Sequence, residues 1–283
     1  MKEKYTIYEP RQREKMSWLK TWIELFRNIR NSKELIYQLW RRDFLMQYKK
    51  TFLGMGWLIL TPIMGIVSWV FMNATGVLTP GEVGIPYPAY VLLSTTIFGL
   101  FSGFFQTTSQ SLQVTRGFIN QVNFPHDAII VKQGLQQLSG FMITFTVSIL
   151  VLLFFGVFPS WKIVFFPLML VPVFCLAASM GMIVSVIAVV LPDIQKIVSF
   201  FIGLLLYITP VIYSPKFENP LLQKIIKYNP LTYLIGDARD LIIYGSITSL
   251  NKYFISAGIV TIVFMIAWRF FYISEQKVIE RMI

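Results

Sequence analysis

Residues 163–190 read IVFFPLMLVPVFCLAASMGMIVSVIAVV, an apolar run between Lys162 and Asp193 with no Asp, Glu, Lys, Arg or His in it. A hydrocarbon core about 30 Å thick takes roughly 20 apolar residues at about 1.5 Å of helical rise each. A charge placed there costs a few kcal/mol or more, so charge is kept out. Five more charge-free runs lie between Lys50 and Glu82, Glu82 and Arg116, Lys132 and Lys162, Lys196 and Lys216, and Lys252 and Arg269. The expected fold is an all-α polytopic membrane protein. It has six transmembrane helices, cytoplasmic N-terminal interfacial helices, and two short outer helices between spans five and six.

The expected spans are Phe52 to Asn73, Ala89 to Ser109, Gln136 to Val157, Val164 to Val190, Lys196 to Tyr213 and Tyr253 to Phe271. Pro62 predicts a kink in the first. The polar stretch Gln106 to Gln113 reads as helix projecting beyond the hydrocarbon, and Leu191-Pro192-Asp193 breaks the helix after span four. Residues 1–50 form a cytoplasmic N-terminal segment, and 51–283 the six-helix transmembrane domain. Within the first segment Trp18, Leu19, Trp22, Ile23, Phe26 and Ile29 recur at helical spacing opposite Lys20, Glu24 and Arg27. Such a helix suits a membrane interface. Lys33 to Lys50 reads as a second, less amphipathic helix.

The chain is 55% hydrophobic and 14% charged, well below the quarter or so of charged residues in soluble domains. Of 25 Lys and Arg residues, 13 precede Thr51, which reads as a cationic collar at a membrane rather than a nucleic-acid surface. With the N-terminus inside, inner segments hold 19 basic residues and outer segments 6, so both termini are expected in the cytoplasm. The polar start is no secretory signal peptide. Asn219-Pro220 and Asn229-Pro230 each read as an N-cap followed by Pro at the first helical position. Asp237, Arg239 and Asp240 on the second of these helices read as solvated charges, with an outer vestibule as the alternative.

Catalytic chemistry is sparse. No Gly-x4-Gly-Lys-Ser/Thr loop occurs, and one histidine, His126, and one cysteine, Cys175, cannot build a Ser-His-Asp, Cys-His or metal set. No carboxylate lies deep in an expected span, which counts against a proton-driven pump. The chain reads as a conduit without its own motor.

The run Arg41-Arg42-Asp43, Tyr48-Lys49-Lys50-Thr51-Phe52-Leu53-Gly54 to Trp57, then Pro62, resembles the entry to the first span of ABC-2-type polysaccharide permeases. These include the membrane subunits that export O-antigen and teichoic acid. Asn123-Phe124-Pro125, Asp193-Ile194, Thr209-Pro210-Val211-Ile212-Tyr213 and Tyr228-Asn229-Pro230 continue the resemblance in order along nearly the whole chain.

The resemblance implies a permease subunit that is not itself an enzyme. It works as a homodimer with two copies of a nucleotide-binding ATPase, in a bacterial cell (inner) membrane. No cofactor is bound by this chain; ATP and Mg belong to the partner, and nucleic acid is not a partner. The loop from Arg116 to Lys132 would be a coupling helix, anchored on the ATPase by Phe118, Asn123, Phe124 and Pro125. Lys33 to Lys50 would transmit ATPase motion. The path would run between protomers, with Trp57, Trp69, Phe71, Phe200, Phe201, Tyr207 and Tyr213 as candidate lining, since sugar C–H faces stack on aromatic rings. Those near span ends also fit an interfacial belt. Arg41, Arg42, Lys49 and Lys50 would receive the diphosphate of a lipid-linked glycan, or anchor to anionic lipid headgroups. A drug or lipid exporter, an ion-coupled carrier, and a membrane enzyme acting on lipid-linked sugars are the alternatives.

Overall fold

A computed structural model describes residues 13, 16–49, 52–115, 126–215 and 219–282. The described residues contain helices and no strand. In chain order they are α1 (Trp18–Asn31), α2 (Lys33–Lys49), a 3-10 turn Gly54–Gly56, α3 (Trp57–Ala74), α4 (Tyr87–Ser109), α5 (Ser111–Thr115) and α6 (His126–Phe154). A second 3-10 turn, Trp161–Phe165, leads into α7 (Phe166–Val190), followed by α8 (Asp193–Ile208), α9 (Pro220–Tyr228), α10 (Pro230–Tyr244) and α11 (Leu250–Met282).

Among the described residues five helices are long and apolar enough to cross a membrane: α3, α4, α6, α7 with its preceding turn, and α11. The expected fifth span, Lys196 to Tyr213, is a shorter helix in the structure. α8 begins at Asp193 and stops after 16 residues, because Thr209 turns extended ahead of Pro210. A residue before proline is pushed out of the helical region, so the break is local chemistry. α6 begins ten residues before the expected third span, and α11 continues past Phe271 to Met282.

α4 is the axis of the molecule. Leu93, Ile97, Leu100, Phe101 and Phe105 are fully buried, and α4 packs chiefly on α7 and α6, while α11 packs on α7 and α10. Short hydroxyl contacts tie these helices: Thr96 to Ser148 at 2.9 Å, Ser111 to Ser185 at 3.0 Å, and the Tyr253 hydroxyl donating to the Met169 carbonyl at 3.1 Å. Hydrogen bonds and small residues supply such cohesion where lipid removes the hydrophobic drive. Gly181 lets α7 touch α4, since a Cβ there would meet Thr108 Cβ at 2.6 Å and the Phe105 carbonyl at 3.1 Å. The polar stretch at the end of α4 and in α5 is packed: Thr108, Ser109, Ser111 and Leu112 are buried, with Ser111 and Leu112 bonded to Ser185 of α7. Each polar group finds a hydroxyl or carbonyl on α7 or its own helix, with Thr108 Oγ1 the exception.

α3 buries none of its residues, and α8 buries only Ile202. The two stand together at one flank, with Trp69 edge-on to Tyr207 at 6.3 Å between ring centroids.

At one end of the bundle α1 and α2 pack against α6. Ser17 caps α1, and Trp22 packs on Phe264 and Trp268 of α11. α2 is fastened along α6 by Trp40 to Ser139 at 3.0 Å, Lys132 to Asp43 at 2.7 Å and Gln136 to Gln47 at 3.4 Å. At the opposite end Asn229 caps α10 and donates to Thr209 at 2.9 Å, and Ser160 N–H donates to the Ile242 carbonyl at 2.8 Å.

Candidate functional site

α3 leaves a groove between itself and the bundle. Its cavity of about 570 Å³ is walled by the end of α2, one face of α3, and the facing sides of α4 and α6. From α3 come Trp57, Thr61, Gly65 and Trp69, spaced four residues apart and therefore on one helical face. α4 contributes Thr95 and Gly99, and α6 Gln136, Gln137 and Thr144. Gln137 donates to the Gly99 carbonyl at 3.2 Å, and its amide occupies the space a Cβ at position 103 would need, so Gly103 is what admits it. The groove is thus walled by both rings and amides.

The aromatic residues expected to line a path divide into groups. Trp57 and Trp69 face the groove. Trp69 also meets Tyr207, and the Tyr213 hydroxyl donates to the Tyr207 carbonyl at 2.6 Å, so three of the seven converge at the α8 end. Phe200 and Phe201 contact each other edge-on at 5.8 Å on the exposed face of α8, and Phe71 is exposed on α3. α8 is joined to α4 by Ser199 donating to Gln106 at 2.8 Å.

Among the basic residues, Arg41 is exposed, whereas the Arg42 guanidinium bonds the Asp43 carboxylate at 2.8 Å. Asp43 also takes Lys132 at 2.7 Å. Partial burial alone would raise the Asp43 pKa, but the Lys132 and Arg42 hydrogen bonds outweigh it and hold the carboxyl below its ordinary value. Lys49 closes α2; its side chain and all of Lys50 lie outside the described residues, as do Phe118, Asn123, Phe124 and Pro125. The second half of the expected coupling loop, His126 to Lys132, is already α6.

Asp237 and Arg239 depart from the expectation. They are buried, at 4% and 5% exposure, rather than solvated. Arg239 donates to the Tyr90 hydroxyl at 2.6 Å and reaches Ser94 at 3.3 Å and the Pro210 carbonyl at 3.4 Å, while pairing with Asp240 at 3.1 Å. A signal was present: Arg239 stands four residues after Ile235 and three before Ile242, inside the apolar arc of α10. Burial is the main force raising Asp237 to about 6, opposed by the Ser249 N–H and reinforced by Asp240.

A second buried polar cluster lies at the α1 end. Asp127 accepts from Trp268 at 3.2 Å and Asn28 at 3.4 Å, and Arg13 binds Glu275 at 2.6 Å and the Tyr272 carbonyl at 3.0 Å. It ties the N-terminal segment and α11 to the start of α6. Sequence spacing carries no sign of it, because the partners come from distant parts of the chain.

The model of the ABC-2 type transporter family matches residues 34–243, most of the chain, with all of α3 to α9 and all but one end residue each of α2 and α10. The chain belongs to the ABC-2 type transporter family. This ABC-2 membrane domain is similar to an O-antigen export system permease protein RfbA of Myxococcus xanthus, 25% identical over 191 residues, 68% of this chain and 72% of the relative. Two RfbA permeases of Klebsiella pneumoniae are each 24% identical. One aligns over 216 residues, 76% of this chain and 82% of its own; the other over 239 residues, 81% and 89%. The match holds both α3 and α8, so the exposed flank they form belongs to the ABC-2 core rather than to an appendage.

Proposed function

We propose that this chain is the transmembrane permease subunit of an ATP-driven ABC exporter. It moves a lipid-linked polysaccharide of O-antigen or teichoic acid type from the cytoplasmic to the outer side of a bacterial cell (inner) membrane. The observation that carries this reading is the agreement between an ABC-2 match over residues 34–243 and three relatives each named for O-antigen export.

In this reading residues 1–50 are the cytoplasmic interface segment and 51–283 the transmembrane domain. Both termini are cytoplasmic, as the distribution of Lys and Arg supports. α8 is the sixth crossing: its 16 residues rise about 24 Å, and the turn at 209–213 completes the passage. Two copies associate through the flank of α3 and α8, where Ile63, Val67, Phe71, Phe200 and Phe201 are exposed. Trp57, Trp69, Phe71, Phe200, Phe201, Tyr207 and Tyr213 give rings for sugar stacking, each held weakly so that a polymer can slide. Arg41, Lys49 and Lys50 meet the diphosphate; Arg42 contributes less, since Asp43 already holds it. Phe118, Asn123, Phe124 and Pro125 dock on two ATPase copies, which bind ATP and Mg and alone hydrolyse ATP.

Deletion and co-purification test this. Removing the gene should abolish surface polysaccharide while its lipid-linked precursor accumulates inside. The tagged chain should purify with a nucleotide-binding ATPase in equal amount, and Phe124→Asp should lose it. Unchanged surface polysaccharide, or an intact folded chain that brings down no ATPase, overturns the reading.

A further inference from the structure

We propose that the groove between α3 and the α4–α6 wall is a sugar-binding subsite within each protomer. It holds a short stretch of the glycan on its way across the membrane. This rests on the exporter reading and adds a place and a recognition chemistry to it.

Three observations converge. The first is a polar wall on two helices of membrane-spanning length. Thr95, Gln136, Gln137 and Thr144 all belong to helices long and apolar enough to span, where polar side chains are normally spent on helix packing. Here they border an open cavity of about 570 Å³, within the size range of small-molecule sites.

The second is complementarity to hydroxyls. Thr95 donates its hydroxyl proton to the Val91 carbonyl at 2.6 Å, and Thr144 donates to the Phe141 carbonyl at 3.0 Å. With their protons committed, both oxygens offer lone pairs as acceptors. Gln137 spends one amide proton on the Gly99 carbonyl and keeps the other as a donor. Sugar hydroxyls, each donor and acceptor, match that mixed set; an acyl chain matches none of it.

The third is the pair of rings. Trp57 and Trp69 lie on the groove face of α3, separated by about 18 Å of helical rise. Indoles at the two ends with amides and hydroxyls between them stack on sugar C–H faces and bond their edges. The groove also begins at α2, through Phe44 and Gln47, so it opens where the basic interface segment ends. A phospholipid acyl chain is the competing occupant.

Photo-crosslinking in the native host, with the complete exporter, decides between them. Thr144→p-benzoylphenylalanine reports the groove, Leu150→p-benzoylphenylalanine an exposed position on the same helix outside the groove, and Phe200→p-benzoylphenylalanine the proposed inter-protomer path. Adducts are identified by mass spectrometry of the purified chain. Glycan adducts at position 144 and none at 150 are expected. Phospholipid alone at 144 overturns the subsite. If position 200 still captures glycan, the exporter reading survives that loss. If no position captures glycan and deletion leaves surface polysaccharide intact, the exporter reading itself falls. Thr144→Val and Thr95→Val keep side-chain shape and should each slow export roughly three- to tenfold, the effect of one or so kcal/mol of hydrogen bonding. Unchanged export in the Thr95→Val, Thr144→Val double variant also overturns the subsite.

Discussion

Arg239 of α10 lies over the ring of Tyr90 of α4, its guanidinium carbon 4.3 Å from the centroid, while one of its nitrogens bonds the Tyr90 hydroxyl at 2.6 Å. The same side chain reaches the Pro210 carbonyl, and Tyr90 itself donates to the Tyr213 carbonyl at 2.9 Å. One buried cation therefore joins α4, α10 and the turn that ends α8.

Removing it leaves Asp240 and several polar atoms without their buried partner. Arg239→Ala should cost about 3–5 kcal/mol, read as a large fall in the thermal midpoint of the detergent-solubilised protein. Arg239→Lys keeps charge but not the fork of donors, and should recover only part of the loss. A midpoint unchanged by Arg239→Ala would refute the role.

Gly181 and Gly258 make a matched pair. A Cβ at 181 meets Thr108 and the backbone of Phe105, whereas one at 258 meets nothing within 4 Å. Gly181→Ala should destabilise by about 1–3 kcal/mol through forced separation of α4 and α7. Gly258→Ala, in a helix where alanine is the better former, should be neutral or slightly stabilising. Thermal melts of the two side by side check the contrast.

Asp237 predicts a pH dependence. Its folded pKa is raised from 3.8 to about 6, mainly by burial, and its Oδ2 finds no partner among the described residues. The folded state thus holds this proton more tightly than the unfolded state. The carboxylate destabilises above about pH 6, and that penalty fades as pH falls from about 6 toward 4. Arg239, Asp240 and the Ser249 N–H surround it. Asp237→Asn should raise stability at pH 7.5 and flatten the profile between pH 4 and pH 6 as measured by thermal shift.

Asp43 has the opposite sign. Held low by Lys132 and Arg42, it stabilises the α2–α6 contact at neutral pH, and that contribution is lost only as pH falls below the ordinary carboxylate value of 3.8. The α2–α6 fastening should persist unchanged from pH 5 to 8. Asp43→Asn should loosen α2 at all those values by about 0.5–1 kcal/mol, since the pair is partly solvated. Faster proteolysis of the N-terminal segment in that variant is the expected readout, with Lys132→Gln giving the same result.

Much of the fold is legible from the chain alone. The charge-free runs locate α3, α4, α6, α7 and α11, and the Asn-Pro pairs locate α9 and α10. The ends of elements are less legible. α6 and α11 continue past their apolar windows, because helix geometry persists wherever backbone bonds and side-chain partners are available, and hydropathy reports only the solvent. Sequence spacing does not separate Trp57 and Trp69, which face the groove, from Phe71, which is exposed on α3.

What the sequence by itself determined is that this chain is a bundle of membrane helices with a basic, amphipathic N-terminal segment. Hydrophobicity, charge placement and capping act over short stretches and need no knowledge of neighbours. Only the tertiary structure decided that Arg239 is buried, that Asp127 and Glu275 lie in one polar cluster with Arg13, and that Gln137 borders a groove. The cost of burying a polar group depends on the partners it meets, and those come from residues as much as 262 positions away.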